Sequence, residues 1–521
     1  MAQAWWHGAV FYEIYVRSFA DSNDDGIGDL PGITSRLDYV KELGVDAIWL
    51  TPFYPSPQKD HGYDVADYLD VNPEYGTLDD FDKLVERAHE LRLKVLVDIV
   101  PNHTSDQHPW FKSALSSQDD PHRTWYHFAD PKPDGSPPSN WTSAFGGPAW
   151  KRDEASSQWY MHLFAPEQPD LNWWNPAVQA EFERIIEFWL NRGADGFRID
   201  VAPALFKRTD LADRPTVRNR LTGALEPDPA FSILDQPQLH EVYRRWREIA
   251  DRHEPERVLV GEIFETRRHS SFIARDQLNM AFALVMAPWD ASRWRRSIDV
   301  ARRALKGPGL EASWTISNHD VVREVTRFGG GTLGRKRAVA AMLLLLGLPG
   351  QVFLYQGEEL GLEEADLPDE QRQDPVFFHS GGRQAGRDGC RVPLPWLRGQ
   401  PNAGFSTAPP WLPQPAGWDR FAVDGQLGSS GSVLRQYIRV LGLRHQLARR
   451  MPDRLEWCPS PKDVLVYRRG PLAVACNFGR RPVDLEVPGR LLAASDPLVR
   501  LVSARLALPP SSAAWLDASV R

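Results

Sequence analysis

The chain has few of the features that mark secreted or nucleic-acid-binding proteins. Only three cysteines occur among its 521 residues, at positions 390, 458 and 476, which is too few for a disulfide framework or a closed zinc site. No cluster of Lys or Arg is long enough to act as a phosphate-binding stripe, and the formal net charge of -8 opposes adhesion to nucleic acid. We therefore expect neutral or cationic ligands, no nucleic-acid partner and a reducing compartment.

The sequence also predicts neither an export signal nor a membrane anchor. Residues 1–10 show no basic start followed by an apolar run, which a secretion signal requires. The most hydrophobic stretch, 338–355, is interrupted by Gly347, Pro349 and Gly350, a pattern that favours a buried helix, a turn and a buried strand over a membrane span. The sequence predicts no membrane association and a cytoplasmic location, and it leaves the oligomeric state open.

The dominant pattern is a short apolar run followed by a longer stretch of helical periodicity. Such runs are typical of parallel strands buried on both faces, and they begin at Ala9, Ala47, Lys94, Gly196, Val258, Met280, Ser313 and Val352. Candidate helices between them cover residues 78–91, 176–191 and 238–252. Alternating strands and helices in eight units predict an α/β fold, the (β/α)₈ TIM barrel.

Three segments do not fit a simple barrel. Residues 104–172 are rich in Pro, Ser, Gly and Trp and predict a loop-rich subdomain inserted after the third strand. Residues 361–417 predict a second insertion after the eighth strand. Short β-type runs separated by turns predict a C-terminal antiparallel β-sandwich over residues 451–521. The barrel would then consist of residues 1–103 and 173–450.

Acidic residues stand at the carboxyl ends of four predicted strands, where the loops of a barrel converge. They are Asp98, Asp200, Glu262 and Asp320. Any one of them could be a helix N-cap or a salt-bridge partner, but several acids aimed into one mouth repel one another and need separated pKa values. Glycoside cleavage requires such a set, with one carboxylate and one protonated carboxyl flanking the sugar. Arg198 shares a strand face with Asp200, where it either keeps Asp200 ionised or forms a structural ion pair.

Several motifs together resemble the α-amylase superfamily, glycoside hydrolase family 13, and within it the branch of oligo-1,6-glucosidases and α-glucosidases. DIVPNH at 98–103, GFRID at 196–200, GE at 261–262 and NHD at 318–320 occur in the family's order and at its strand ends. The segment QPDLNW at 168–173 resembles this branch's form of a motif in the inserted subdomain. The resemblance runs nearly from end to end.

The resemblance implies a role for each of the site residues. Asp200 would attack the anomeric carbon, Glu262 would protonate the leaving oxygen and Asp320 would stabilise the transition state. Residues that would contact the substrate or support these acids are Asp60, Tyr63, Asp98, His103, Phe145, Arg198, Val201, His319 and Arg387. Asp60 matches an acid that binds the non-reducing end of the sugar. Such an acid closes one end of the site, so the resemblance implies a pocket rather than an open cleft. Arg387 opens RDGCRVPLPW, where relatives usually carry a form closer to TPMQW.

A loop near the start of the chain carries oxygen donors at alternating positions. These are the side chains of Asp21, Asn23, Asp25 and Asp29, with the carbonyl of Ile27 between them. Oxygen ligands in a tight loop that contains glycine suit Ca²⁺ or Mg²⁺, and the resemblance to α-glucosidases favours a structural Ca²⁺ far from the chemistry. A plain Asx-rich turn is the alternative. No organic cofactor is expected.

The function predicted is that of a retaining, exo-acting α-glucosidase that releases glucose from short α-glucosides. Val201 matches the residue that favours α-1,6 bonds in the oligo-1,6-glucosidase branch, but both α-1,4 and α-1,6 linkages stay open. The first alternative is a transglycosylating relative, such as a sucrose isomerase or a trehalose-forming enzyme. A non-catalytic, amylase-like transporter subunit is disfavoured because the acid set is complete. Residues 208–230, after the fourth strand, are candidates for shaping the leaving-group subsites.

Overall fold

A closed barrel of eight parallel strands forms the centre of the molecule. The computed structural model describes residues 4–218, 225–228, 231–263, 266–305, 310–448 and 451–519. The barrel strands are β1 (Val10–Ile14), β2 (Ala47–Leu50), β3 (Lys94–Ile99), β4 (Gly196–Ile199), β5 (Val258–Gly261), β6 (Met280–Leu284), β7 (Ser313–Thr315) and β8 (Gln351–Tyr355). Each strand pairs in parallel with the next, and β8 pairs with β1. The (β/α)₈ prediction and its eight strands are confirmed.

Helices cover the outside of the barrel. The longer ones are Leu78–Glu90, Pro176–Asn191, Leu239–Ala250, Ala291–Ala304, Gly331–Leu346 and Val433–Ala448, and two shorter helices, Leu30–Ser35 and Leu37–Leu43, follow β1. Local sequence explains where they begin: Thr77 and Asp80 form a capping box at the start of one, and Asn175 caps another whose first residue is Pro176. The helices predicted at 78–91, 176–191 and 238–252 are therefore present, with ends that differ by at most two residues.

The most hydrophobic stretch of the chain lies inside the protein. Helix Gly331–Leu346 is followed by a turn and by β8, as predicted. From Ala338 to Leu346 the helix is apolar and buried on all sides, because this part packs between the barrel and the C-terminal domain. Tyr467 and Trp515 of that domain donate hydrogen bonds to the carbonyls of Leu344 and Leu343. Among the described residues no helix is long and apolar enough to span a membrane.

The two predicted insertions consist of short elements and loops. Residues 104–172 contain helix Pro109–Ser116 and an antiparallel sheet of Phe128–Ala129, Trp159–Met161 and Trp150–Arg152. Residues 361–417 contain the short helices Pro375–His379 and Asp388–Arg391. Both segments lie over the carboxyl ends of the barrel strands, since each contributes residues to the pocket described below. Of residues 208–230, positions 219–224 and 229–230 lie outside the described residues.

The C-terminal domain consists of two antiparallel sheets packed face to face. The larger contains strands Glu456–Trp457, Val464–Arg469, Leu472–Asn477, Ser512–Asp517 and Arg490–Ala494, and the smaller contains Val483–Glu486, Arg505–Leu508 and Arg500–Val502. Val464 and Val466 face the smaller sheet, whereas Leu465 and Tyr467 between them face the barrel. The predicted β-sandwich is confirmed as a fold class, and its proposed boundary at residue 450 lies outside the described residues.

Alternation along the strands produces a polar mouth above an apolar interior. Phe11, Leu96 and Val260 point into the packed centre of the barrel. Two residues further along the same strands, the same face carries Glu13, Asp98 and Glu262, because side chains in a strand alternate with a period of two. On each of these strands, a step of two residues therefore separates a side chain in the apolar interior of the barrel from an acidic side chain at its carboxyl end.

Candidate active site

A small pocket opens at the carboxyl ends of the barrel strands. Its volume is about 360 Å³, at the low end of the range for ligand sites. Its walls are formed by Asp60, Tyr63, His103, Phe145, Phe164, Asp200, Val201, Glu262, His319, Asp320 and Arg387. Ten of the twelve residues named from the sequence for substrate binding and catalysis are among them, and the other two, Asp98 and Arg198, contact Asp200 or its partners from beneath.

The floor of the pocket is organised by one guanidinium group. Nη1 of Arg198 donates to Oδ1 of Asp200 at 2.6 Å and to Oδ1 of Asp98 at 3.0 Å. Its Nη2 lies 2.8 Å from Oε2 of Glu262. Arg198 is buried above the ring of Trp49, so these ion pairs form with little screening by water. The acids at the ends of β3, β4 and β5 thus meet at one cation.

Three acids around one guanidinium carry an excess of negative charge. Burial raises the pKa of Asp98 to about 7, with Arg198 opposing that effect. Burial also raises the pKa of Asp200 well above its ordinary range, again opposed by Arg198, while the neighbouring acids raise it further. Because one cation balances one of these charges, the arrangement favours retention of a proton within the cluster. A buried site that holds both ionised and protonated carboxyl groups suits acid–base chemistry.

The residue after Asp200 has a strained backbone. Val201 adopts φ +42° and ψ +47°, a left-handed conformation that is unfavourable for a β-branched side chain. In this conformation its backbone N–H donates to Oε2 of Glu262 at 3.0 Å. Glu262 is therefore held by two residues that flank Asp200 in the sequence. Arg198 forms an ion pair with it, and Val201 donates a backbone hydrogen bond to it.

An aromatic ring and two histidines line another side of the pocket. The ring of Tyr63 stacks on that of His319, with centroids 5.3 Å apart, and its hydroxyl donates to Asp98. Nε2 of His103 lies 3.0 Å from the carbonyl oxygen of Tyr63 and 3.1 Å from the side-chain amide of Gln168. Burial lowers the pKa of His103 to about 4, so this imidazole is neutral near pH 7.

Arg387 closes one end of the pocket by joining two acids. Its Nη2 donates to Asp60 at 2.7 Å and its Nη1 to Asp320 at 3.0 Å. Asp374 holds the guanidinium from behind through Nε at 2.7 Å, and the ring of Phe145 packs against it. Burial opposes ionisation of Asp320, but the cationic and imidazole groups around it outweigh burial and hold its pKa well below the usual range.

The acidic loop near the N-terminus lies outside the pocket. Asp21 accepts hydrogen bonds from the backbone of Asn23, Asp24 and Gly26, and Asp29 caps helix Leu30–Ser35. These are the contacts of an Asx-rich turn. Among the described residues no group of three or more His, Cys, Asp or Glu side chains is arranged to hold a metal ion.

Four residues of the site were not identified from the sequence. Phe164 lines the pocket, Asp374 supports Arg387, Arg391 donates to Asp320 at 2.9 Å, and Glu13 binds His319. Glu13 could have been found, because a carboxylate within the strand run VFYEI must point either to the core or into the mouth. The other three come from insertions whose folding no local pattern predicts.

Comparison with known proteins agrees with this geometry. The family described as "Alpha amylase, catalytic domain" matches residues 13–450, and a domain of unknown function, DUF3459, matches residues 460–515. A probable alpha-glucosidase of Rhizobium meliloti is 44% identical over 91% of this chain and 89% of its own length. An oligo-1,6-glucosidase of Heyndrickxia coagulans is 35% identical over 93% of this chain and 94% of its own length.

A solved structure matches over the whole chain. It is that of an alpha-glucosyl transfer enzyme, XgtA, which superposes with a TM-score of 0.91 at 38% identity and covers 99% of this chain and 100% of its own. The resemblance seen in the motifs is therefore confirmed over both the barrel and the C-terminal domain. The chain belongs to the alpha-amylase family of glycoside hydrolases.

Proposed function

We propose that this protein is a retaining, exo-acting α-glucosidase in which Asp200 is the nucleophile and Glu262 the general acid and base. The observation that carries the proposal is the contact of both carboxylates with the one guanidinium of Arg198, at 2.6 and 2.8 Å, in the floor of a pocket. Retaining enzymes need two carboxyl groups about 5 Å apart, on either side of the anomeric carbon. The similarity to enzymes named α-glucosidase and oligo-1,6-glucosidase supports the same assignment.

In the first step an oxygen of Asp200 bonds to the anomeric carbon while the bond from that carbon to the leaving oxygen breaks. Glu262 transfers its proton to the leaving oxygen, so that the aglycone departs as a neutral alcohol. In the second step a water molecule attacks the same carbon, Glu262 takes up a proton from it, and the bond to Asp200 breaks. Arg198 stabilises the carboxylate of Asp200 before the first step and after the second.

Asp320 completes the set as a stabiliser of the transition state. It is held ionised by Arg387 and Arg391, with contacts of 3.0 and 2.9 Å. A fixed carboxylate at the wall of the pocket binds sugar hydroxyls and stabilises the positive charge that develops at the anomeric carbon. Tyr63 provides the ring beneath the sugar, and His103 and His319 supply polar contacts to its hydroxyls.

Exo action follows from the closed end of the pocket. The ion pair of Arg387 with Asp60 blocks extension of the chain beyond the innermost sugar, and the small volume suits a single glucose unit. Val201 lines the side of the pocket next to Asp200. Its position makes it a candidate for linkage preference, and we propose activity on short glucosides with α-1,4 or α-1,6 bonds.

Transglycosylation is the second candidate function. It shares the covalent intermediate and differs in which hydroxyl accepts the glucosyl group. The observation that favours it is the match over the whole chain to an enzyme that transfers α-glucosyl groups. The two functions differ in their products: incubation with maltose, isomaltose, trehalose and sucrose, followed by NMR, yields free glucose for a hydrolase and new or rearranged glucosides for a transferase. No reaction with any α-glucoside would refute both.

We further propose that the loop of Asp21, Asn23, Asp25, Ile27 and Asp29 binds Ca²⁺ or Mg²⁺ as a structural ion. The support is chemical: the donors are hard oxygens, and each carboxylate has more lone pairs than the N–H bonds it accepts here. The ion would stabilise the turn before helix Leu30–Ser35 and would take no part in the reaction. Thermal unfolding in excess Ca²⁺ and in excess chelator tests this, and equal melting temperatures would refute it.

A cytoplasmic location stays a prediction. Its support is that all three cysteines are free in the structure, as is usual in a reducing compartment. Fractionation of the source cells tests it, and recovery of the protein outside the cytoplasm would contradict it.

A further inference from the structure

The histidine of the pocket wall has a carboxyl group at each ring nitrogen. Nδ1 of His319 lies 2.5 Å from Oε1 of Glu13, and Nε2 lies 3.4 Å from Oδ2 of Asp320. The backbone N–H of His319 donates to the same Oε1 at 3.3 Å. Glu13 and His319 are each only 1% exposed. Their protonation states therefore depend on each other and on the surrounding protein groups rather than on bulk water.

Hydrogen-bond chemistry limits how these three groups can share protons. An ionised carboxylate only accepts, and a neutral imidazole has one donor and one acceptor nitrogen. If both acids were ionised, a neutral His319 could donate to one of them and would turn a lone pair towards the other. Asp320 is held ionised by two guanidinium groups and its Oδ2 faces Nε2 at 3.4 Å, which favours a proton on Nε2 over a lone pair. A hydrogen bond between Nδ1 and Glu13 then requires a second proton. Either Glu13 is protonated and donates to Nδ1, or Nδ1 is protonated and donates to the Glu13 carboxylate.

We propose that Glu13 and His319 form a dyad that holds one extra proton between Oε1 and Nδ1, and that this proton fixes Nε2 of His319 as a hydrogen-bond donor to the sugar and to Asp320. Glu13 is thereby a positioning residue, acting through His319 on the substrate. The inference rests on the proposed function for its consequence in catalysis, but the proton count itself does not depend on any activity.

The surroundings of the dyad agree with this count. Burial raises the pKa of Glu13 well above its usual range, and burial lowers that of His319 well below its own. Both directions favour a protonated carboxyl that donates to a neutral imidazole. The charged groups that face the pair are Arg198, Arg387, Arg391, Asp98 and Asp320. The tyrosine rings of Tyr15 and Tyr63 pack on the imidazole, and Tyr355 lies beside Glu13 in the barrel register.

The geometry makes glutamine a mimic of the proposed state. The amide of Glu13→Gln donates to Nδ1 as a protonated carboxyl would, with the same shape and without ionising. Glu13→Met has a similar length but offers no hydrogen bond, and it frees the imidazole to turn its lone pair towards Asp320. We expect Glu13→Met to lower kcat/KM by about 10- to 100-fold, the effect of an unpaired buried polar group, and Glu13→Gln to recover most of that loss.

Stability against pH gives the decisive readout. An ionisable group with a raised pKa in the folded state contributes stability at low pH and loses it as the pH rises. In the folded protein the dyad keeps its proton. In the unfolded chain Glu13, with a pKa of about 4.3, loses that proton above about pH 5. The glutamine of Glu13→Gln does not titrate in either state. The melting temperature of Glu13→Gln minus that of the wild type should therefore increase steadily from about pH 5 to about pH 8. Glu86→Gln, on the exposed face of helix Leu78–Glu90, is the matched control.

The outcomes separate this inference from the proposed function. A difference in melting temperature that does not change with pH means that Glu13 is an ordinary carboxylate and overturns the dyad. So does a Glu13→Gln variant that is as impaired in kcat/KM as Glu13→Met. A wild-type protein without activity on any α-glucoside refutes the proposed function but leaves the melting experiment valid. Should Glu13→Met fail to fold, the comparison of Glu13→Gln with the wild type still decides.

Discussion

Nη1 of Arg198 donates a 2.6 Å hydrogen bond to Oδ1 of Asp200, the residue that follows the end of β4. The contact is possible because the chain stays paired with β3 at Asp200, so that residues i and i+2 lie on one face. Burial of the pair raises the cost of leaving the carboxylate without its partner. The guanidinium opposes the effect of burial on the pKa of Asp200 and so favours its carboxylate form at the base of the pocket, where the proposed reaction needs a nucleophile.

Asp200→Ala should abolish turnover without unfolding the protein. We expect kcat to fall by more than about 1,000-fold, as for other nucleophile deletions. The melting temperature should stay the same or rise, because one of three mutually repelling acids is removed and Arg198 keeps the other two as partners. Steady-state kinetics and thermal unfolding check both parts, with Asp366→Ala at an exposed position as the control. Retained turnover would exclude Asp200 as the nucleophile.

Glu262→Gln should affect substrates according to their leaving groups. A disaccharide releases a basic alkoxide and needs the proton of the acid, whereas an aryl glucoside with an acidic phenol does not. We expect kcat/KM to fall by about 100- to 10,000-fold for maltose or isomaltose and far less for the activated aryl glucoside. Each substrate is the control for the other. Equal losses in kcat/KM would show that Glu262 is not the acid.

Arg387→Lys should weaken the closed end of the pocket. Lysine keeps the charge but cannot bind Asp60, Asp320 and Asp374 at once, as the planar guanidinium does. We expect kcat/KM on disaccharides to fall by about 10-fold or more, the cost of a lost charged hydrogen bond, and cleavage away from the non-reducing end to appear on longer chains. Arg303→Lys, at an exposed position, is the control. Unchanged kinetics and unchanged products would refute the role given to Arg387.

Stability should decline on the acid side partly through His103. Burial lowers its pKa from 6.5 to about 4, so the unfolded chain takes up a proton below about pH 6.5 that the folded protein refuses until about pH 4. The unfolded state then binds more protons, and the free energy of unfolding falls as the pH falls through this window. Melting temperatures of wild type and His103→Asn between pH 4 and 7 test this. Parallel curves would contradict it, and His122→Asn, which replaces a partly exposed histidine, is the control.

Much of the barrel was predictable because its signals are local. Most strand runs are apolar on both faces before their carboxyl ends, and the motif acids stand where those runs end, so the sequence alone assigns Asp98, Asp200, Glu262 and Asp320 to one mouth. The strand bounds were less predictable: β7 ends at Thr315, although the apolar and polar pattern continues to Asp320. Loop backbone rather than strand carries Asp320 into the pocket.

The remainder of the site depends on contacts between distant segments. Asp374 and Arg391 come from the insertion after β8, and their contacts with Arg387 and Asp320 form only when that insertion folds over the barrel. The left-handed backbone of Val201 is another such feature, since a β-branched residue gives no signal for φ above zero. Capping residues explain where the helices begin, but they give no information on contacts between segments that are far apart in the sequence.

The anomer first released from an aryl α-glucoside tests the central claim most directly, because one glucose is formed per turnover. Proton NMR spectra recorded before mutarotation should show α-glucose, since two displacements at the anomeric carbon, first by Asp200 and then by water, restore the original configuration. Initial release of β-glucose would mean a single displacement by water and would contradict a covalent intermediate on Asp200.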